Sequence, residues 1–142
     1  MRLASLFLPR STASAHCDLP CGVYDPAQAR IEAESVLGSQ KKYQDSDDPV
    51  FKARAIETID QRAELVKHHL WVLWTDYFKP NHLEDHPDLH DLFWKATKQA
   101  GAGGVKGSTD PSSAEELLEY ISKIDDIFWE TKGGRPQQAA AA

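Results

Sequence analysis

Cysteine is scarce in this chain of 142 residues: there are two, Cys17 and Cys21. A secreted disulfide scaffold spreads more cysteines along its length. A bridge closing so short a loop would also add little stability, because the entropic gain grows with loop length. Metal binding or redox chemistry is the better use for the pair. Positive charge is short as well: 16 Lys and Arg against 22 Asp and Glu leave a formal charge of −6. With no basic stripe to neutralise phosphates, a nucleic-acid partner is excluded. No apolar run approaches the roughly 18 residues of a membrane span, so no membrane partner is expected. There is no convincing strand alternation, no internal repeat, and no GxGxxG or P-loop signature to cradle phosphates. Nor is there a Glu-x-x-His pair, which a di-metal carboxylate bundle requires on two of its helices.

What the chain does have is helical punctuation. Its length fits one domain with a real core. Three Asp-Pro pairs, Asp25-Pro26, Asp48-Pro49 and Asp110-Pro111, read as helix starts, since Asp caps and Pro is favoured at the first helical position. Gln28 stands three after Asp25, as in a capping box. His86-Pro87-Asp88 is a weaker fourth start. The expected helices run from Pro26 to about Tyr43, from Pro49 to Phe78 before Pro80, from Pro87 to about Ala100, and from Pro111 to Lys132. The second carries Ile56, Ile59, Ala63, Val66, Leu70, Leu73 and Tyr77 at steps of three and four, a bundle seam. Trp71 and Trp74 widen its apolar surface toward a possible subunit contact. Leu89, Leu92, Phe93 and Ala96, then Leu117, Leu118, Ile121, Ile124, Ile127 and Phe128, supply the other apolar faces, and Gly101, Gly103 and Gly104 end the third helix. The fold class is therefore all-α, an antiparallel four-helix bundle over residues 25–132. A tail over 133–142, ending in four alanines, has little to pack and is expected to be mobile.

The start of the chain reads as a segment to be removed. Residues 1–15 carry Arg2, a short apolar stretch from Leu3 to Leu8, then Pro9 and Arg10, and end in Ala13-Ser14-Ala15, a small-residue processing site. The apolar stretch is shorter than the about 7–15 residues of a secretory signal, so a pro-peptide and the cytoplasm are favoured, with a signal peptide and secretion as the alternative. Either way the mature chain begins at His16, and loss of Arg2 and Arg10 moves the formal charge from −6 to −8.

Cleavage there creates a free amine on His16. That amine and the amide nitrogen of Cys17 form a five-membered chelate ring, and the Cys17 sulfur closes a second. Cys21 returns after Pro20 bends the loop. The resulting planar set of two nitrogens and two sulfurs suits nickel(II) or copper(II), whereas zinc prefers a tetrahedron. The His16 imidazole is available as a fifth, axial ligand. Thiolates and a deprotonated amide are strong electron donors that favour a higher oxidation state. Three readings stay open on the residues alone: a redox enzyme, a non-catalytic nickel or copper carrier, and a secreted helical protein with a Cys17–Cys21 disulfide.

Spacing adds one pair. Glu32 and Arg62 lie equally far on either side of Asp47, the centre of the first inter-helix turn, so an antiparallel hairpin sets them at one height. An ion pair there could orient a ligating histidine. Lys79 is a candidate for steering a small anion, and the Tyr24 ring for narrowing access to the metal. His82, His86 and His90 fall four apart, but Pro80 and Pro87 interrupt them, and a ligand row is not expected. His68 and His69 cannot face one direction.

The run His16-Cys17-Asp18-Leu19-Pro20-Cys21-Gly22-Val23-Tyr24-Asp25-Pro26 resembles the N-terminal hook of the nickel superoxide dismutase family. The segments Gln61-Arg62-Ala63-Glu64-Leu65, Asp76-Tyr77-Phe78-Lys79-Pro80 and Ile127-Phe128-Trp129-Glu130-Thr131-Lys132 are similar too. The resemblance implies a metal-binding hook over 16–24 in which His16 ligates through its amine and imidazole, Cys17 through its amide and sulfur, and Cys21 through its sulfur. It places Asp18 and Tyr24 beside the metal's open face, gives Pro20 a cis peptide, and makes Glu32 and Arg62 a relay to the His16 imidazole. It further implies one nickel ion per subunit, superoxide anion as substrate, one-electron Ni(II)/Ni(III) cycling to dioxygen and hydrogen peroxide, a homohexamer, and a maturation protease.

Overall fold

The computed structural model describes residues 22–136. Within them lie α1 (Ala27–Asp45), α2 (Pro49–Val72), a π-helical turn (Leu73–Tyr77), α3 (Pro80–Asp85), α4 (Leu89–Gln99) and α5 (Pro111–Thr131). Among the described residues there is no strand, only an isolated bridge between Ala102 and Lys106.

The Asp-Pro pairs start the helices as their chemistry requires. Asp48 accepts from the Val50 N–H at 2.9 Å and Asp110 from the Ser112 N–H at 3.0 Å, each satisfying a donor the first turn leaves unpaired. The Ser112 N–H holds the Asp110 carboxyl below the usual aspartate range. Asp25 accepts from the Ala27 N–H at 2.8 Å. The reciprocal arm of the expected capping box does not form: only the Gln28 backbone N–H turns back, to the Asp25 carbonyl at 3.5 Å.

Helix α1 packs against α2 and α5, and α4 against α5 and α2, which closes a ring of four. The core runs through its middle: Ala29, Ala33 and Val36 from α1, Ile59, Ala63, Val66 and Leu70 from α2, Leu89, Phe93 and Ala96 from α4, and Leu117, Ile121, Ile124 and Phe128 from α5. Burying each large apolar side chain contributes about 1.5–3 kcal/mol. Small residues on α1 let α2 approach closely, and there the expected seam shifts by one. Ala55 is buried, while Ile56 is 39% exposed, because a step of four back from Ile59 lands on Ala55.

Two further departures occur at the end of α2. The helix does not run as a plain α-helix to Phe78; the Phe78 N–H reaches the Leu73 carbonyl at 3.0 Å, one residue further than an α-helical bond. The Thr75 hydroxyl donates to the Trp71 carbonyl at 2.8 Å, a back-bond that competes with the helix ladder and favours such a bulge. The core step from Leu73 to Phe78 is accordingly five residues, and both are buried. The segment after Pro80 is not merely a linker but forms α3, with Lys79 extended before it and Pro80 at its first position.

The link from α4 to α5 is tied rather than loose. At Gly104 a Cβ would stand 2.0 Å from the Gln99 carbonyl oxygen, which the Val105 N–H reaches at 2.8 Å, so only glycine fits. Gln40, fully buried in α1, donates to the Ser108 carbonyl at 3.1 Å and the Ser113 hydroxyl at 2.9 Å. The expected slack tail has some contacts at its start. Gly133 and Gly134 take positive φ and close the end of α5, and Arg135 pairs with Asp125 and lies over the Trp129 ring. No helix among the described residues is long and apolar enough to cross a membrane.

Candidate metal centre

Alternation of chain direction decides where the chemistry collects. With α1 starting at one end of the bundle, α2 ends there, α4 starts there and α5 ends there. The segment leading out of the hook therefore meets the last turns of α2 and α5. Gly22, with φ +71°, Tyr24, Asp76, Tyr77, Lys79, Asn81, His82 and Lys132 line one open pocket of about 520 Å³.

Tyr24 is half-buried and packs on the core. Its ring lies 5.8 Å from that of Tyr77 at a 53° tilt, inside the range in which aromatic pairs attract. Tyr77 is held on its other sides. Its centroid is 4.4 Å from that of Phe128, and its hydroxyl shares a 2.6 Å hydrogen bond with the Thr131 hydroxyl. The two tyrosines thus form a braced aromatic wall where the chain leaves the bundle toward Cys21. His82 packs on Tyr77 and accepts the Lys79 backbone N–H through Nδ1 at 3.2 Å, which sets the direction in which Lys79 enters the pocket wall.

The Glu32–Arg62 pair forms across α1 and α2: Arg62 donates to Glu32 Oε2 at 3.1 Å. The side chains are 18% and 37% exposed, respectively. Such a pair contributes about 0–1 kcal/mol to stability, so its value to the fold is small. His16, Cys17, Asp18, Pro20 and Cys21 lie outside the described residues, and so do the Pro20 peptide geometry and residues 1–15.

The three histidines that fall four apart are dispersed. His82 is in α3, His86 follows it with Nε2 3.8 Å from Glu130, and His90 in α4 packs its ring against Trp74 at 5.5 Å. Among the described residues no group of three His, Cys, Asp or Glu could hold a metal ion. The donors that fit nickel are those of the hook: two thiols, a backbone amide, an amine and an imidazole within six residues. The thiols make that set soft, and such donors suit a late transition metal.

Residue by residue, three members of this pocket go unnoticed, Tyr77, which looks like core, His82, which looks like loop, and Lys132, which looks like a helix end, and so does Thr131, which braces Tyr77. The parity of the helices is the signal that finds them, because it puts both helix ends beside the hook.

Comparison with known proteins points one way. A profile described as nickel-containing superoxide dismutase matches residues 11–132. A curated relative, "Superoxide dismutase [Ni]" of Streptomyces coelicolor (strain ATCC BAA-471 / A3(2) / M145), is 58% identical over 130 residues, covering 92% of this chain and 98% of its own. Among solved structures, native nickel superoxide dismutase at 1.30 Å superposes with a TM-score of 0.80 at 58% identity, covering 84% of this chain and all of its own. Three solved variants of such enzymes, 56–58% identical with TM-scores of 0.74 to 0.80, are changed at a histidine, at an aspartate two positions later and at a tyrosine six beyond that. His16, Asp18 and Tyr24 have this same spacing.

Proposed function

Since the chain belongs to the nickel-containing superoxide dismutase family, we propose how its own residues carry out that family's reaction. The activity is superoxide dismutation: two superoxide anions and two protons give dioxygen and hydrogen peroxide. The cofactor is nickel. The observation that carries the reading is the 58% identity over 92% of the chain, with the hook inside the matched residues.

Bound nickel supplies one-electron redox chemistry between its divalent and trivalent states. The protein supplies the rest. Residues 1–15 are removed by a maturation protease, which frees the His16 amine. His16, Cys17 and Cys21 hold one nickel ion per subunit. Glu32, anchored by Arg62, accepts from the His16 imidazole and fixes its orientation. Tyr24 narrows the approach so that only a small molecule passes, and Asp18 lies beside the same opening. Lys79 draws the anion in against the acidity of the protein as a whole.

The subunits assemble as a homohexamer in the cytoplasm. The exposed apolar groove lined by Trp71, Trp74, Phe93 and Trp94 between α2 and α4 is a face for such contacts, since Trp71 is 45% and Trp94 57% exposed.

The test is direct. Intact mass of the purified mature protein should give a chain beginning at His16. Metal analysis should give about one nickel per chain, with a rhombic nickel(III) resonance in the oxidised protein. A mature, nickel-loaded protein that does not accelerate superoxide decay overturns the reading in favour of a nickel carrier. A stoichiometric Cys17–Cys21 disulfide without metal overturns it in favour of a helical interaction protein.

A further inference from the structure

We propose that Lys132 is a second guiding cation for superoxide, acting with Lys79 in the pocket lined by Gly22 and Tyr24. The inference rests on the function proposed above and deepens it.

Three observations support it. First, Lys132 is the residue on which α5 ends, and it lines the same pocket as Lys79, Tyr24 and Gly22. Second, its charge is held in place. Its Nζ lies 5.2 Å from the centroids of both Tyr77 and Phe128, a separation at which an ammonium is attracted by each ring face. The backbone beneath it is set by the turn in which the Lys132 and Gly134 N–H groups both reach the Trp129 carbonyl, at 3.1 and 2.8 Å. A lysine held this way keeps its charge at the pocket wall instead of sweeping through solvent. Third, that charge is not spent on an acid: among the described residues neither Lys132 nor Lys79 makes an ion pair, while Lys41, Lys95 and Lys106 each do. The pocket's one acid, Asp76, is in no ion pair with either lysine among the described residues; its Oδ1 lies 2.8 Å from the Thr75 hydroxyl, whose one proton is shared with the Trp71 carbonyl.

The need for such a pair follows from the formal charge of −8 that removal of Arg2 and Arg10 with residues 1–15 leaves. An acidic protein repels superoxide at long range, and only a local cationic cleft reverses the sign of the field near the opening. Two lysines lining one pocket do this better than one, because their fields add within it.

The experiment compares the nickel-loaded parent with Lys132→Gln, Lys132→Glu and Lys132→Arg. It measures kcat/KM for superoxide by pulse radiolysis across a range of ionic strengths, with nickel content and helix signal checked for each protein. At low ionic strength the Gln variant should lose a few-fold and the Glu variant roughly tenfold. Both should converge on the parent toward 1 M salt, where the screening length falls to about 3 Å. Arg should keep the parental rate. As a readout independent of turnover, azide titrated into the metal-free protein should shift the amide resonances of Tyr24 and Asn81, and less so in the Glu variant. Rates unchanged in the Gln and Glu variants, a loss equal at all ionic strengths, or identical azide shifts would each overturn the role of Lys132. An inactive nickel-loaded parent would instead overturn the proposed function.

Discussion

The hook and the bundle divide the work of this protein almost without overlap. The bundle holds the core, yet among its described residues no cluster could bind a metal. In the function proposed above, the donors are instead the two thiols, the imidazole and the amine of His16, Cys17 and Cys21. On that proposal, catalytic donors and folding energy are set by different stretches of chain. The two meet at one place, the Tyr24–Tyr77 wall and the ends of α2 and α5. The lesson is that substitutions in the hook should remove chemistry and spare the fold, those in the bundle interior should do the reverse, and only those at the junction should touch both.

The largest effect tests the first half of this statement. Cys17→Ser or Cys21→Ser should abolish nickel binding and dismutation while the metal-free thermal midpoint stays at the parental value. A fall in that midpoint would mean the hook is part of the fold. His16→Ala should keep nickel and lose most of its turnover, measured as superoxide decay per bound nickel; parental turnover would refute an axial imidazole. Phe128→Ala tests the second half. Phe128 is fully buried and touches Tyr77, so truncation should cost about 3–5 kcal/mol in urea denaturation of the metal-free protein, with the hook's donors intact.

Smaller effects sharpen the junction. Arg62→Ala should lower turnover less than His16→Ala and cost no more than about 1 kcal/mol of stability. A stability loss without a turnover loss would make the Glu32–Arg62 pair a plain helix contact. The smallest is Asp110→Ala, far from the hook in sequence and role. Because the native Asp110 carboxyl is held below its ordinary range by the Ser112 N–H, its contribution is complete above that range. It is lost as the pH falls through the lowered native value. The substitution should therefore lower the thermal midpoint at neutral pH, and the difference should close in acid, with no change in activity per nickel.

How much of this was legible in the residues differs between the two regions. Helix starts were readable because an Asp-Pro pair acts locally: the carboxylate needs only the N–H two residues on. The Glu32–Arg62 bond was readable because one short turn and a constant rise per residue fix which positions face each other. The π-helical turn at Leu73–Tyr77 was not, since it depends on Thr75 choosing the Trp71 carbonyl over solvent. The shift from Ile56 to Ala55 was not, since it depends on how near α1 comes. Lys132 was missed for the same reason, as a lysine at a helix end is ordinary until another helix end is placed beside it.

The sequence by itself determined the helix starts at Asp48-Pro49 and Asp110-Pro111 and most of the apolar faces, because capping and periodicity act over a few neighbouring residues. Only the tertiary structure decided that Tyr24, Tyr77, Lys79 and Lys132 share one pocket. They come from three separate stretches of the chain, and it is the packing of alternating helices around a common core that brings them to the end where the hook joins the bundle.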